Sequence, residues 1–251
     1  MLVNYLQRGV VAGAIAGLLY GVYMAVVANP LIEYMETVSH HAGEHDHGHA
    51  ADPAHAHAVS EATTEVVSVG SGVLWGIFLG GLFALGFYFL EPALPGAERV
   101  SAYVLAGAGF LTVSVTPWLV LPPATPGAEQ SLGPNPRLVI YAGLMALGAV
   151  VAATAILGYD RTTARTGNRY YGVAAAAVPV VATVAILPTV TPTITTAGTM
   201  PAELVTAFRG LTVLSQAAVW AIVAGSFSWL TDHVESTDGT AALEDDHSVA
   251  A

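Results

Sequence analysis

The sequence predicts an all-α integral membrane protein, a bundle of about six transmembrane helices with a histidine-rich outer loop. Hydrophobic residues make up 54% of the 251 residues and charged residues only 10%. A soluble domain carries roughly 25% charged residues, so this chain has too few charges to cover a surface that faces water. The charges also leave long gaps, because residues 9–32 and 66–90 contain no Asp, Glu, Lys or Arg.

Uncharged runs define the predicted spans, since roughly 20 apolar residues cross a hydrocarbon core about 30 Å thick. The runs cover approximately residues 9–28, 67–90, 100–121, 138–158, 170–190 and 210–230. The fifth contains Pro179 and Pro188, so five spans are the alternative. The first run exceeds the roughly 7–15 apolar residues of a signal peptide, and we expect it to be retained. Residues 1–230 then form the bundle, and the acidic tail 231–251 is expected to be disordered.

The arginines predict the orientation. With a cytoplasmic N-terminus, five of the seven lie on inner flanks, namely Arg8, Arg99, Arg161, Arg165 and Arg169. Arg137 and Arg209 alone lie on outer flanks, which fits the positive-inside rule. Both termini are therefore expected in the cytoplasm, and the loop 29–66 outside the cell membrane.

Glycines repeat every four residues in the first two spans. The rows are Gly9, Gly13, Gly17 and Gly21, and then Gly72, Gly76 and Gly80 with Ala84. Residues four apart share one face of a helix, and a face of glycines lets a second backbone approach closely. We expect these two spans to pack together and to hold both ends of the outer loop near each other.

Seven of the nine histidines fall within residues 40–57. They are His40, His41, His45, His47, His49, His55 and His57, interleaved with Glu44, Asp46 and Asp52. Neutral imidazole binds Zn, Ni, Cu, Fe and Co, and carboxylates can complete the shell, so the segment predicts several overlapping sites for a divalent metal ion. A solvated loop without a role and a pH sensor are the alternatives. Intrinsic affinities favour Cu or Ni over Co and do not identify the metal.

Glu33 and Glu36 precede the histidines and are three residues apart, which places them on one face of a helix. They are further candidate metal ligands that could pass a cation from the loop to the bundle. An acidic cap at the membrane interface is the alternative, and the sequence does not decide between the two.

The predicted spans carry no charged residue, so a polar path would depend on hydroxyls and amides. The candidates are Thr112, Ser114, Thr116, Thr154, Thr183, Ser215 and Gln216. Most are expected to stabilise contacts between helices. Pro117 is expected to kink the third span and to free a carbonyl.

Several function classes are disfavoured by composition and motifs. The net charge of −11 disfavours nucleic acid as a partner, and the absence of cysteine excludes thiolate ligands. The sequence contains no phosphate-binding G-x-x-x-x-G-K-[ST] loop, no nucleophile elbow and no His-Glu-x-x-His motif, so we expect no enzyme activity. The absence of lysine and the acidic exterior are typical of a salt-loving source.

A set of short motifs resembles the CbtA family of probable cobalt transporter subunits. The motifs are Pro30-Leu31-Ile32-Glu33 with Glu36, Pro117-Trp118-Leu119, Leu121-Pro122-Pro123, Pro126-Gly127, Pro201-Ala202-Glu203-Leu204 and Trp220. The resemblance extends to about Leu230. It implies cobalt uptake for cobalamin synthesis, together with a small single-span partner, CbtB, that has its own histidine motif.

Together these features predict a membrane subunit of a cobalt importer, with nickel or zinc as alternative substrates. Its expected partners are membrane lipid, the small CbtB-like subunit and, as a further option, a second copy of the chain. A membrane-anchored metal buffer or sensor, a scaffold without transport activity, and an exporter are the competing hypotheses.

Overall fold

The computed structural model describes residues 2–43, 61–191, 195–196, 198 and 200–249. Within these residues, six helical segments are long and apolar enough to cross a membrane: Leu2–Ser39, Thr63–Ala93, Glu98–Trp118, Pro134–Thr166, Arg169–Val190 and Ala202–His233. The six-span prediction is therefore confirmed. The fifth segment is helical along its whole length despite its two prolines.

The first three spans are built from several helical pieces each. Helix α1 (Leu2–Tyr23) passes through a π-helical turn (Met24–Ala28) into α2 (Asn29–Gly43) without a break. Helix α3 (Glu61–Leu90) ends in a 3-10 turn (Glu91–Ala93). Helix α4 (Glu98–Phe110) is followed by a second π-helical turn (Leu111–Val115) and the short α5 (Thr116–Trp118).

The remaining spans are continuous helices: α6 (Pro134–Thr166), α7 (Arg169–Val190) and α8 (Ala202–Val249). The connection between α5 and α6 pairs with the connection between α7 and α8 through a two-residue antiparallel ladder. In it, β1 (Glu129–Gln130) pairs with β2 (Thr195–Thr196).

The predicted loop 29–66 is shorter than expected, because residues 29–43 and 61–66 are helical. Asn29-Pro30 resembles a helix end, since proline lacks the N–H that a helix interior requires. Here the π-helical turn absorbs the proline instead. It ends one residue before Asn29, and the Asn29 N–H bonds to the Met24 carbonyl five residues earlier.

The same device recurs in the third span. The π-helical turn Leu111–Val115 ends two residues before Pro117, as Met24–Ala28 ends two residues before Pro30. Proline has no N–H to donate to the carbonyl four residues earlier. In this span, the carbonyl that loses its usual helical partner is that of Val113. The hydroxyl of Tyr141 on α6 donates to that oxygen at 2.6 Å. The carbonyl predicted to be freed by Pro117 is thus bonded to a neighbouring helix.

The two glycine rows meet each other in antiparallel register, as predicted. A Cβ added to Gly72 would lie 2.6 Å from the Gly21 Cα, and one added to Gly80 would lie 2.7 Å from the Gly13 Cα. Between these two contacts, a Cβ on Gly76 would lie 2.5 Å from the Gly17 Cα. Helices α1 and α3 are therefore in backbone-to-backbone contact, which only residues without a Cβ permit.

Close contacts between the helices show an up-and-down bundle. Helix α8 runs antiparallel to α1 and α4: Phe227 packs near Tyr5, and Trp220 lies against Gly109. Helix α7 folds back on α6, where Gly158 lies near Ala175. One end of the bundle therefore carries α2 and the starts of α3, α6 and α8, and we call it the histidine end.

The backbone of α8 continues into the acidic tail as far as Val249.

Candidate functional site

The predicted metal ligands divide into two groups. His40 and His41 lie in the last turns of α2, while His45, His47, His49, His55 and His57 lie outside the described residues. Among the side chains that the structure does describe, no group of three or more His, Cys, Asp and Glu residues comes together to hold a metal ion.

Glu33 and Glu36 both lie on the exposed face of α2. The opposite face of this helix packs on the bundle through Met35, which is fully buried with Met200 and Val205. The two carboxylates are therefore at the surface of the histidine end and do not line the interior of the bundle.

The two ends of the predicted loop 29–66 are held together. The Nδ2 atom of Asn29, which begins α2, donates to the Ser68 Oγ of α3 at 2.8 Å. About two turns earlier in the same span, a Cβ on Gly21 would lie 2.8 Å from the Val69 Cα. The predicted approach of the two ends is confirmed.

Two other loops at the histidine end, the one between α5 and α6 and the one between α7 and α8, also lie near α2. Gly127 has a φ of 72°, and a Cβ there would lie 3.5 Å from the Ser39 Cβ. Gly198 has a φ of 60°, and its Cβ position lies 2.9 Å from the Gly127 carbonyl oxygen. These left-handed conformations favour glycine, and they let both loops lie close to the end of α2.

Below this end, the bundle contains an open cleft of about 430 Å³ with a partly polar lining, and two of its lining residues, Ser71 and Trp75, are exposed at the surface of the bundle. We call it the polar chamber. Five spans contribute to it, and its lining residues are Tyr20, Met24, Ser68, Ser71, Gly72, Trp75, Val113, Trp118, Tyr141 and Gln216. The lining contains hydroxyls, an amide and a thioether, and none of its side chains is charged.

The polar groups of the chamber are already arranged by hydrogen bonds. The Tyr141 hydroxyl is oriented by the Val113 carbonyl, and the Tyr20 hydroxyl hydrogen-bonds with the side chain of Gln216. The Ser68 hydroxyl accepts from Asn29, which links the chamber to the start of α2. Helix packing thus fixes several oxygen atoms around one space.

Towards the opposite end, aromatic side chains fill the space between α1, α3 and α8. The ring of Phe227 lies 5.2 Å from that of Phe87 and 5.4 Å from that of Phe83, and Tyr5 packs beside them at 6.1 Å. The three phenylalanines are at most 3% exposed. The bundle is therefore polar near the histidine end and closed by an aromatic cluster near the other end.

Three of the six hydroxyls predicted for a polar path bond within their own helices: Thr154, Thr183 and Ser215 each donate to a carbonyl three or four residues earlier. Such local bonds are available to any Ser or Thr within a helix. Thr116 instead lies against α6, where its side chain would meet a Cβ added to Gly148, as expected for a contact between helices. Of the seven predicted path residues, only Gln216 lines the chamber.

Sequence reasoning missed the other polar residues of the chamber, chiefly Tyr20, Ser68 and Tyr141. Ser68 and Tyr141 lie near the start of a span, and Tyr20 lies well inside the first span, where a single hydroxyl gives no clear signal by itself. A signal was nevertheless present, because all three fall in the half of the predicted span nearer the histidine end once the spans are drawn antiparallel.

Comparison with known proteins gives one match. A comparison with curated proteins and one with solved structures each return none. A family model described as "Probable cobalt transporter subunit (CbtA)" matches residues 2–232, which is nearly the whole chain up to the acidic tail. This family is a transporter subunit family and not a family of enzymes. The chain belongs to the CbtA family, and it is a multi-pass membrane protein whose described residues contain six helical segments able to span a membrane.

Proposed function

We propose that this chain is the membrane subunit of a cobalt uptake system and that its histidine-rich segment captures the ion. The observation that carries the proposal concerns the two helices that flank the segment: Asn29 of α2 is bonded to Ser68 of α3, and Ser68 lines the polar chamber. An ion bound by the segment would be next to the uncharged polar space inside the membrane. The family of the chain supports cobalt as the substrate, with nickel or zinc as alternatives.

The arginine distribution supports an orientation with the histidine end outside the cell. Arg8, Arg99 and the three arginines between residues 161 and 169 all lie at the opposite end of the bundle. Cytoplasmic flanks carry the excess of arginine, so capture takes place on the outer side. A binding segment on the source side suits import better than export.

The proposed ligands are the seven imidazoles of residues 40–57, with Glu33 and Glu36 as accessory carboxylates on the exposed face of α2. Imidazole binds metal only when it is neutral, and its ordinary pKa is about 6.5. Weak binding at several sites suits transport, because the ion must leave as well as enter. The proposed second subunit is a small single-span protein with a histidine motif, of the CbtB type.

The decisive experiment measures cobalt accumulation in cells that express the chain with and without the small subunit. In one variant, all seven histidines of residues 40–57 are replaced by alanine. We expect cobalt uptake by this variant to fall at least tenfold when external cobalt is low. His233→Ala is the matched control, because His233 lies at the opposite end of the bundle on Trp229, and it should leave uptake unchanged.

Three results would contradict the proposal. Cobalt binding to the purified protein without any flux into liposomes would identify a buffer or sensor. Unchanged uptake in the seven-histidine variant would remove the capture role. Metal loss from loaded cells in place of accumulation would identify an exporter.

A further inference from the structure

We propose that the polar chamber is a second cation site, an intramembrane station that accepts the metal ion with part of its water shell. This inference rests on the proposed function, since it assigns the step that follows capture. Its oxygen ligands would come from four hydroxyls and one amide: Tyr20, Ser68, Ser71, Tyr141 and Gln216. Met24 adds a thioether at the boundary of α1.

The size of the chamber fits a hydrated ion. Water occupies about 30 Å³ per molecule in the liquid, so six waters around a divalent ion need roughly 180 Å³. The chamber, at about 430 Å³, accommodates such an ion and still leaves room for further waters. A cavity of this size in a membrane bundle holds water when polar partners line it, whereas a purely apolar one stays dry.

The absence of charge in the lining determines how the ion is held. A carboxylate in a low-dielectric site would attract a divalent cation strongly and slow its release. Hydroxyl and amide oxygens offer dipoles alone, so the ion keeps several of its waters and is bound weakly. Weak, multi-site binding is the condition for conduction through a membrane protein.

Gln216 is the residue of the chamber that is hardest to explain by packing alone. It places a full amide within the sixth span, on the α8 helix, whose next three turns are buried and apolar at Val219, Val223 and Phe227. Gln216 is therefore the last polar side chain of α8 before this apolar stretch.

The test uses purified protein in liposomes, with the small subunit present, and compares cobalt uptake with cobalt binding. Gln216→Leu should lower the uptake rate at least tenfold while binding to the histidine segment stays unchanged. Ser215→Ala is the matched control on the same helix, since Ser215 donates to the Thr212 carbonyl and does not line the chamber. It should retain full uptake.

Tyr20→Phe tests whether Gln216 is a cation ligand or only part of a hydrogen bond between two helices. It removes one proposed oxygen ligand together with the hydrogen bond between Tyr20 and Gln216, and it leaves the amide in the chamber. If the loss of uptake in both variants only follows the loss of melting temperature, the amide only joins two helices and the proposal is overturned. A much larger loss of uptake in Gln216→Leu at similar stability supports the station.

A gain-of-binding variant completes the design. Gln216→Glu, made in the seven-histidine alanine background, should bind one added cobalt ion per chain with the weak visible absorption of an octahedral, oxygen-rich shell. When the seven histidines are present, the rate of cobalt uptake by Gln216→Glu should fall. No added cobalt, together with normal uptake by Gln216→Leu, would refute the chamber site. If the unaltered protein takes up cobalt in the same experiment, the proposed function survives that refutation.

Discussion

Helices α1 and α3 meet through their backbones, whereas α6 and α7 meet through side chains. At the first interface, a Cβ on Gly76 would lie 2.5 Å from the Gly17 Cα. At the second, the nearest atoms to a Cβ on Gly172 belong to side chains, namely the Thr163 hydroxyl and, at 2.9 Å, the Tyr159 ring. In the most apolar 18-residue stretch of α7, no residue is buried. In the corresponding stretch of the span that contains α3, 33% of the residues are buried.

The difference shows what apolar composition does and does not determine in lipid. The spans containing α3 and α7 have similar mean hydropathies of 2.0 and 2.2, yet one lies in the core and the other on the periphery. Apolar burial provides little drive for helix association inside a membrane, so close approach determines which helices pack tightly. Between α4, α6 and α7 an apolar groove of about 760 Å³ remains.

The largest expected effect tests the backbone interface. Gly76→Ala should cost about 1–3 kcal/mol or more, because its Cβ meets main-chain atoms of α1 that cannot rotate away. Gly70→Ala is the control on the same helix, since its Cβ would meet nothing within 4 Å. It should be neutral or stabilise by about 0.5–1 kcal/mol through helix propensity. Thermal unfolding in detergent measures both, and equal melting temperatures would break the comparison.

The next effect concerns the link between α6 and the third span. Tyr141→Phe removes the donor to the Val113 carbonyl, and we expect a loss of about 1–3 kcal/mol because a polar group is left unpaired in the membrane. Pro117→Ala restores a backbone N–H that can bond to the same carbonyl. The double variant should therefore recover part of the stability that Tyr141→Phe loses. Strictly additive losses in this double-mutant cycle would argue against the compensation.

A smaller effect is expected at the α6–α7 interface. A Cβ on Gly172 would lie 2.9 Å from the Tyr159 ring and would also meet the Thr163 hydroxyl. Both are side-chain atoms that can shift, so Gly172→Ala should cost about 1 kcal/mol and less than Gly76→Ala. The two melting temperatures, measured in the same detergent, give the ranking. A reversed order would show that α7 is held more tightly than its exposure indicates.

The smallest effect is expected at a charged contact between α4 and α8. Arg99 and Asp232 form a salt bridge at 2.5 Å, and their side chains are 67% and 52% exposed. Exposed ion pairs contribute about 0–1 kcal/mol and are screened by salt. Asp232→Asn should therefore change stability only slightly, and the change should vanish at high ionic strength. A larger loss that persists in salt would indicate a buried role for this pair.

Most of the bundle could be predicted because its determinants are local. Uncharged runs define the six spans, and the four-residue glycine spacing predicts the α1–α3 contact. The helical extension 29–43 was missed, because a π-helical turn that absorbs Pro30 has no simple sequence signature. The chamber was missed for a different reason: its polar residues come from separate spans and converge only after the helices pack. The histidine cluster is clear from composition, yet its coordination geometry depends on residues outside the described ranges.

The bond between Asn29 and Ser68 ties the helix that enters the histidine segment to the helix that leaves it. In the proposed capture role, all seven imidazoles are therefore carried by one connection between two helices that are packed together, which raises their effective concentration for the same ion. A cation that dissociates from one ring would be recaptured by another before it diffuses away. Scarce metal would then accumulate at this doorway, and its release inwards would limit throughput.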